Sequence, residues 1–235
     1  MPEEQPILNW MPAFDERSKN FPVRAAIPER PKRRTKKWRN GVILDQGREG
    51  ACVGFGWTAE ALSTPVAVDL TRVKADVPEN PTAFAHAVYQ RAKKIDYWEG
   101  EDYEGTSVLA GAKVMKEIGL VKEYRWCFKI EDVIDAILTK GPVILGIYWY
   151  DSMYNTDGGI LNVSGEIVGG HCITAVGFKL AKDSATGEDT IILQNSWGAS
   201  WGHWGLAEIR VRDLKMLLDN DGEACVVTKR SYGRG

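Results

Sequence analysis

Residues 195–205 read Asn195-Ser196-Trp197-Gly198-Ala199-Ser200-Trp201-Gly202-His203-Trp204-Gly205. The run before it, Thr190 to Gln194, is apolar and β-prone, and Trp204 to Val211 reads as the next strand. The stretch is therefore a glycine-rich turn that opens on Asn195. A lone asparagine after a strand is ordinarily a turn residue. The residues upstream point to another use. His171 to Lys179 also reads as a strand, and the loop Lys182 to Glu188 is rich in turn formers. A hairpin centred near residue 183 places His171 opposite Asn195, on one face of the sheet. The asparagine oxygen can then accept a hydrogen bond from the imidazole and fix its tautomer. Trp197 and Trp201 are large enough to screen that bond from water.

His171 follows Gly169 and Gly170, which leave its ring accessible at the start of a strand. Of the other histidines, His86 falls in a helical pattern without special surroundings and His203 in a Gly/Trp turn. A base needs a nucleophile, and Cys52 is the fitting partner. It follows Gln46-Gly47-Arg48-Glu49-Gly50-Ala51 and opens a helix, where the positive end of the backbone dipole favours thiolate. Gly50 lets a substrate backbone approach, and the Gln46 amide can point an N–H at a developing oxyanion. In this reading Cys52 attacks a carbonyl, Gln46 and the Cys52 N–H hold the oxyanion, and His171 protonates the leaving amine and then activates water.

Outward from these residues, Cys52–Ser63, Pro81–Lys94, Thr106–Gly119 and Ile130–Thr139 carry helical periodicity, and Val143 to Tyr150 begins the strand-rich half. Helices first and strands later indicate an α+β chain, a helical lobe (about 41–140) against an antiparallel sheet lobe (about 141–235) with a cleft between. Residues 1–40 form a proline-containing arm with a basic cluster from Arg30 to Arg39. Such a cluster is read as a solvated arm over the body, a processing site or a contact for an acidic partner. The 235 residues suit one large domain or two lobes, and a net charge of −2 argues against nucleic-acid binding through overall charge. No apolar run is long enough to span a bilayer. The N-terminus lacks a basic start followed by an apolar stretch, so no secretory signal is expected. Cys52, Cys127, Cys172 and Cys225 form no C-x-x-C pair, so no metal or cofactor is expected and a reducing compartment is the simpler setting.

Asp45-Gln46-Gly47-x-x-Gly50-x-Cys52 resembles the nucleophile segment of papain-like cysteine peptidases. Gly169-Gly170-His171 resembles their histidine segment, and Asn195-Ser196-Trp197-Gly198-x-x-Trp201-Gly202-x-x-Gly205 closely resembles their asparagine segment. Gly141-Pro142-Val143 and Gly158-Gly159-Ile160 resemble the start of the sheet lobe, so the resemblance runs from about Trp38 to the C-terminus. It implies the two-lobe papain fold, a polypeptide substrate, catalytic Cys52, His171, Asn195 and Gln46, and substrate contacts at Gly50, Gly169, Gly170 and Trp197. Glu49 and Val53 stand where secreted relatives carry cysteine and tryptophan. Cys225 resembles a disulfide cysteine whose partner position holds glycine. These departures suit an intracellular or virion-associated bacterial or phage-type member without disulfides. The arm is too short for the long inhibitory prosegment of lysosomal relatives, yet long enough to cover the cleft. Met153, Tyr154 and Arg230 are candidate pocket residues.

Other readings are weaker. Gly198-Ala199-Ser200-Trp201-Gly202 matches G-x-S-x-G, but a strand rather than a helix follows it. Gly54-x-Gly56-x-x-Ala59 lacks the strand–helix–strand setting of a dinucleotide site. A silent papain-fold binding or structural protein, or an amidase or transpeptidase using the same residues, is the alternative to a peptidase.

Overall fold

The computed structural model describes residues 5–73, 75–96 and 104–231, so the first four positions of the arm fall outside it. Five α-helices and eight strands are found among the described residues. The strands are β1 (Lys36–Lys37), β2 (Val121–Trp126), β3 (Val143–Tyr150), β4 (Ile160–Leu161), β5 (Ile167–Lys179), β6 (Thr190–Gln194), β7 (Leu206–Arg210) and β8 (Glu223–Arg230). They form one sheet in the order β2-β8-β3-β5-β6-β7-β4, with β1 added against β5. All pairings are antiparallel except β4 with β7.

The helices are α1 (Cys52–Leu62), α2 (Pro81–Ile95), α3 (Val108–Glu117), α4 (Ile130–Thr139) and α5 (Val211–Asp219). Asn80 caps α2 through Oδ1, with Pro81 at its first position, and Ser107 caps α3. Gly119 takes a φ of 82° just beyond α3, which a side chain would resist. The α1 helix has no such cap and contains two glycines, but ten of its eleven residues are buried, so packing holds it.

The central strands are apolar throughout because both faces are covered. Val143, Leu145, Ile147 and Trp149 of β3 face a core shared with Ile134 and Ile137 of α4, Ile173 and Phe178 of β5, and Leu214 of α5. Ile144, with Cys172, Cys225 and Val227 from β5 and β8, faces a second core with Trp57, Phe84, Val88 and Met115 of α1–α3. The α4 helix, grouped by sequence with the helical half, packs into the sheet-side core.

Several elements differ from expectation. The β5 strand begins at Ile167, ahead of His171. The β7 strand is trimmed at both ends, because Trp204 turns with a φ of 55° and Val211 begins α5. The hairpin register is also corrected. Lys179 pairs with Thr190, and a bulge between Ala175 and Gly177 shifts the ladder so that Thr174 faces Gln194. Extending that register sets Ile173, not His171, opposite Asn195, so His171 lies one pleat further along the same face.

Most of the arm is built into the body. Val23 and Ile27 are buried in the sheet-side core. The Arg24 guanidinium lies 3.0 Å from Asp132 and 2.7 Å from Asp135, and Arg30 reaches Asp135 at 3.4 Å. Lys36 and Lys37 form β1, and the Lys36 ammonium sits 3.6 Å over the Trp38 ring. Arg30, Lys36 and Lys37 of the basic cluster thus touch the body while most of the cluster stays exposed.

Candidate active site

Three segments converge where α1 abuts β5. The helix can approach because Gly56 faces the strand: its carbonyl accepts from Thr174 Oγ1 at 3.0 Å, and a Cβ there would come to 3.0 Å from Cys172 Sγ. This docking sets Cys52, at the N-terminus of α1, beside the His171–Cys172 stretch. Both Cys52 and His171 are fully buried.

The asparagine segment organises the other two. Asn195 Oδ1 lies 2.8 Å from His171 Nε2 and also accepts from the Ser196 backbone N–H at 2.8 Å. With Nε2 held, Nδ1 is the ring nitrogen left to face a thiol. The next residues are stitched to the chain before Cys52: Gln46 N–H donates to Ser196 O at 2.8 Å and Gly198 N–H to Leu44 O at 3.0 Å. Gly198 sits at φ 73° and Gly205 at φ 76°, the carbonyl of Gly205 accepting from the Asn195 N–H at 3.0 Å. These turns account for the glycine spacing of the motif. The Gln46 side chain is fixed too, because its Oε1 accepts from Ser196 Oγ at 2.6 Å.

Aromatic rings enclose the histidine. Trp149 lies edge-on at 4.7 Å and Trp197 tilted at 4.8 Å. Trp201 meets the edge of Trp197 and donates to Tyr154 O, so of the two tryptophans expected to screen the His–Asn bond, Trp197 lies on the imidazole. Nothing local in the sequence singles out Trp149. It lies in an apolar strand, and its neighbours mark it only as a core residue.

A strap from the arm lies across this site. Trp10 N–H donates to Gly170 O at 2.8 Å, Thr106 N–H to Asn9 O at 3.2 Å, and Met11 N–H to Thr106 O at 3.1 Å. The Gln46 amide donates to Ile7 O at 3.2 Å and to Glu49 O at 2.9 Å. Leu8 packs on the sheet-side core and Trp10 on the helical-side core, so the strap runs between the two. Its bed is made of glycines. A Cβ at Gly50 or Gly105 would overlap Asn9, one at Gly169 would meet Leu8, and one at Gly146 or Gly170 would meet Trp10. The indole of Trp10 lies near Tyr148 and donates to Glu223 Oε1 at 2.8 Å.

Burial governs the electrostatics. Burial pushes the Cys52 thiol up to about 11, although backbone N–H groups including those of Cys172 and Asn9 work to lower it. Burial likewise brings His171 down to about 4, against the support of Asn195. Among the described residues, buried Nδ1 of His171 has no hydrogen-bond partner, so the thiol–imidazole bond expected from the sequence is not formed in this conformation. Burial also raises the Glu223 carboxyl to about 7, with the Trp10 indole pulling the other way.

The predicted site residues Cys52, His171, Asn195, Gln46, Gly50, Gly169, Gly170 and Trp197 thus come together around the strap. Met153 is buried in the sheet-side core, Tyr154 stacks on Trp197, and Arg230 pairs with Glu60 of α1, so Met153 and Arg230 do not line the strap's bed. Glu223 and Trp10 have no counterpart among the residues expected from sequence. The apolar Ile7, Leu8 and Trp10 within a polar arm are the available signal. His86 is also less plain than its sequence context suggests, since it pairs with Glu49. All four cysteines are free and buried.

Residues 82–230 match the model of the papain family of cysteine proteases, and the chain belongs to that family. The matched span begins after Cys52. A peptidase C1-like protein of Acanthamoeba polyphaga mimivirus is 31% identical over 43% of this chain and 32% of its own length. Gamete and mating-type specific protein A of Dictyostelium discoideum is 30% identical over 75% of this chain and 42% of its own. The matches therefore span less than half the length of these relatives. Among solved structures, xylellain, a cysteine protease from Xylella fastidiosa, aligns over 97% of this chain and 98% of its own, with a TM-score of 0.65 at 15% identity. Procathepsin L 3 of Tenebrio molitor aligns over 95% and 75%, with a TM-score of 0.62 at 17% identity. These likenesses establish the papain-like fold. No helix among the described residues is long and apolar enough to cross a membrane.

Proposed function

We propose that the chain is a cysteine-type peptidase that hydrolyses polypeptides through a thioester. The observation that carries this reading is the glycine-walled bed, in which an extended polypeptide already lies across Cys52 with one of its carbonyls on the Gln46 amide. Such a bed suits main chain in general, because the missing side chains leave room for a backbone and its hydrogen bonds.

Once the strap is lifted, water reaches Cys52 and His171, and the burial that holds both neutral is relieved. The thiol proton passes to His171 Nδ1, and the thiolate attacks the peptide carbonyl carbon. The oxyanion is met by Gln46 Nε2 and the Cys52 N–H. The imidazolium gives its proton to the leaving amine as the C–N bond breaks, leaving an acyl thioester. Water, deprotonated by His171, then releases the acid and restores the thiol. Asn195 keeps Nε2 occupied throughout, so that Nδ1 carries the proton traffic.

Turnover of a peptide library by the full chain, and by its Cys52→Ala variant, tests this. Cleavage of many sequences that vanishes in the variant supports a peptidase. Turnover confined to amides or to acyl transfer supports the amidase or transpeptidase alternative. The neutral, unbonded Cys52–His171 pair under the strap favours a second reading, a papain-fold binding protein without turnover. No turnover even after Cys52 becomes reactive toward alkylating agents would establish that reading instead.

A further inference from the structure

The basic cluster takes no part in the site around Cys52. Residues 30–39 carry seven positive charges and no negative one, in a chain whose net charge is −2. The fold neutralises little of this. Arg30 reaches Asp135, and the Arg33 guanidinium lies 5.4 Å over the Phe178 ring. Lys32, Arg34, Lys37 and Arg39 are exposed and, among the described residues, have no acidic partner. Nor do these charges sit on a loose tail. Lys37 of β1 pairs with Gly177 of β5, and Thr35 Oγ1 accepts from the Leu180 N–H at 3.0 Å. The Trp38 N–H and indole donate to Val176 O and Ile137 O, each at 2.8 Å. A backbone already fixed in this way loses little freedom on meeting a partner.

Beside β1 a groove of about 460 Å³ opens, lined by Lys37, Gly159, Lys179, Ile192, His203 and Leu206. It lies on the face of the sheet turned away from Phe178, Ile191 and Leu193 of the sheet-side core. Its floor follows from the register. Gly177 stands opposite both Lys37 and Ile192, and a Cβ there would come to 2.8 Å from Ile192 Cδ1. The glycine therefore keeps the floor low and apolar. Lys179 is matched by Glu208, whose carboxylate also accepts from Thr190 Oγ1 at 2.8 Å. Lys37 is left, among the described residues, as an unpaired cation on the rim.

The far wall is the turn from His203 to Leu206, whose backbones exchange bonds of 2.7 and 3.2 Å. Its two central residues, Trp204 and Gly205, have φ values of 55° and 76°. Asn-Gly is the usual occupant of such a turn, and a bulky residue at its first position is strained. The Trp204 side chain is also 71% exposed, the most of any large apolar residue among those described. Folding alone favours neither the strain nor the exposed indole, and the two together mark a contact surface.

We propose that this groove docks an acidic polypeptide segment carrying an apolar or aromatic side chain, at a site separate from Cys52. Carboxylates of the segment meet Lys37 and the charges beside it in the arm, the apolar side chain lies on Ile192 and Leu206, and Trp204 closes over it. A polypeptide fits better than a nucleic acid, because Glu208 in the groove and Asp183, bound to Thr35, would repel a phosphate chain. Gly205 O accepts the Asn195 N–H, so a docked partner is held by the same loop that carries Asn195. Docking of this kind is independent of turnover at Cys52.

Capture from synthetic peptide pools by the immobilised full chain carrying Cys52→Ala, so that no peptide is consumed, tests this. The pools share random apolar and aromatic positions and differ in the residues between them, which are Asp and Glu, Lys and Arg, or Ser. The acidic pool should be retained at least about tenfold more than the others, and less as salt is raised. Lys37→Glu and Trp204→Asn should each lower retention of the acidic pool by about tenfold. Trp204→Asn should meanwhile leave Tm unchanged or raise it, because asparagine suits the turn. Retention that does not discriminate among the pools, or that survives both variants, would overturn the proposal. A single-stranded oligonucleotide that binds more tightly than the acidic pool, and loses binding in Lys37→Glu, would overturn it in favour of a nucleic-acid surface. Since binding alone is read, failure here leaves the peptidase reading intact, and a chain that hydrolyses no peptide can still retain the acidic pool.

Discussion

The hydroxyl of Ser196 donates to Oε1 of Gln46 at 2.6 Å, across 150 residues of chain. It leaves the Gln46 amide to donate to Glu49 O of its own loop and to Ile7 O in the cleft. Ser196 thereby positions a donor without facing the cleft itself. Ser196→Ala should lower kcat about tenfold with KM little changed, less than the ~10²–10³-fold loss expected when an oxyanion donor is removed. Steady-state kinetics beside Gln46→Ala provide the comparison. Equal losses in the two variants would contradict this division of roles.

Asn195→Ala removes the acceptor at His171 Nε2 and leaves a buried ring nitrogen unpaired. The expected stability loss is about 1–3 kcal/mol. Turnover should fall on the order of a hundredfold, since the imidazole can then rotate or change tautomer. Asn195→Gln should not restore the rate, because the longer side chain displaces the oxygen. Urea unfolding and kcat together check both parts.

Two buried groups give opposing pH dependences. His171 falls from 6.5 to about 4 on folding, so its contribution to stability is complete above pH 6.5 and is lost as pH falls through 4. Glu223 rises from 4.5 to about 7, so its contribution is complete below pH 4.5 and is lost as pH rises through 7. Each is worth about 3 kcal/mol at most, by the usual conversion of pKa shifts. Relative to wild type, Glu223→Gln should lose stability toward acid more steeply, and His171→Gln should lose it more steeply toward neutrality. Urea midpoints between about pH 4 and 8 measure this. Parallel profiles for the three proteins would exclude it.

Gly105 has a φ of 113°, and a Cβ there would overlap Asn9. Gly105→Ala should therefore loosen the strap and narrow the bed at once. Alkylation of Cys52 should accelerate while kcat/KM for peptides falls several-fold. If both rates rise together, the bed is not where substrates lie.

Helices α1 to α4 and strands β3, β5, β6 and β7 are legible in the sequence because their periodicity is local. The cysteine, histidine and asparagine segments are legible because their glycines and tryptophans are constrained by the turns they make. The hairpin register is not, since one bulge near Val176 moves the ladder without leaving a clear mark in the sequence. The β2 and β8 strands and the α5 helix also go unread, and β8 supplies Glu223. The strap escapes for a different reason. Its place depends on backbone bonds to Gly170 and Thr106, far away in sequence, and such pairing cannot be read from the arm alone.

The β3 strand serves two cores with alternate residues, and Gly146 falls on the same side as Ile144, beneath the Trp10 indole. The width of the cleft is thus tied to the phase of the strand. A single-residue insertion between Val143 and Gly146 would turn large side chains into the channel and withdraw them from the interior behind it. Length changes in this family member should therefore accumulate at strand ends and loops, leaving the middle of β3 fixed in length.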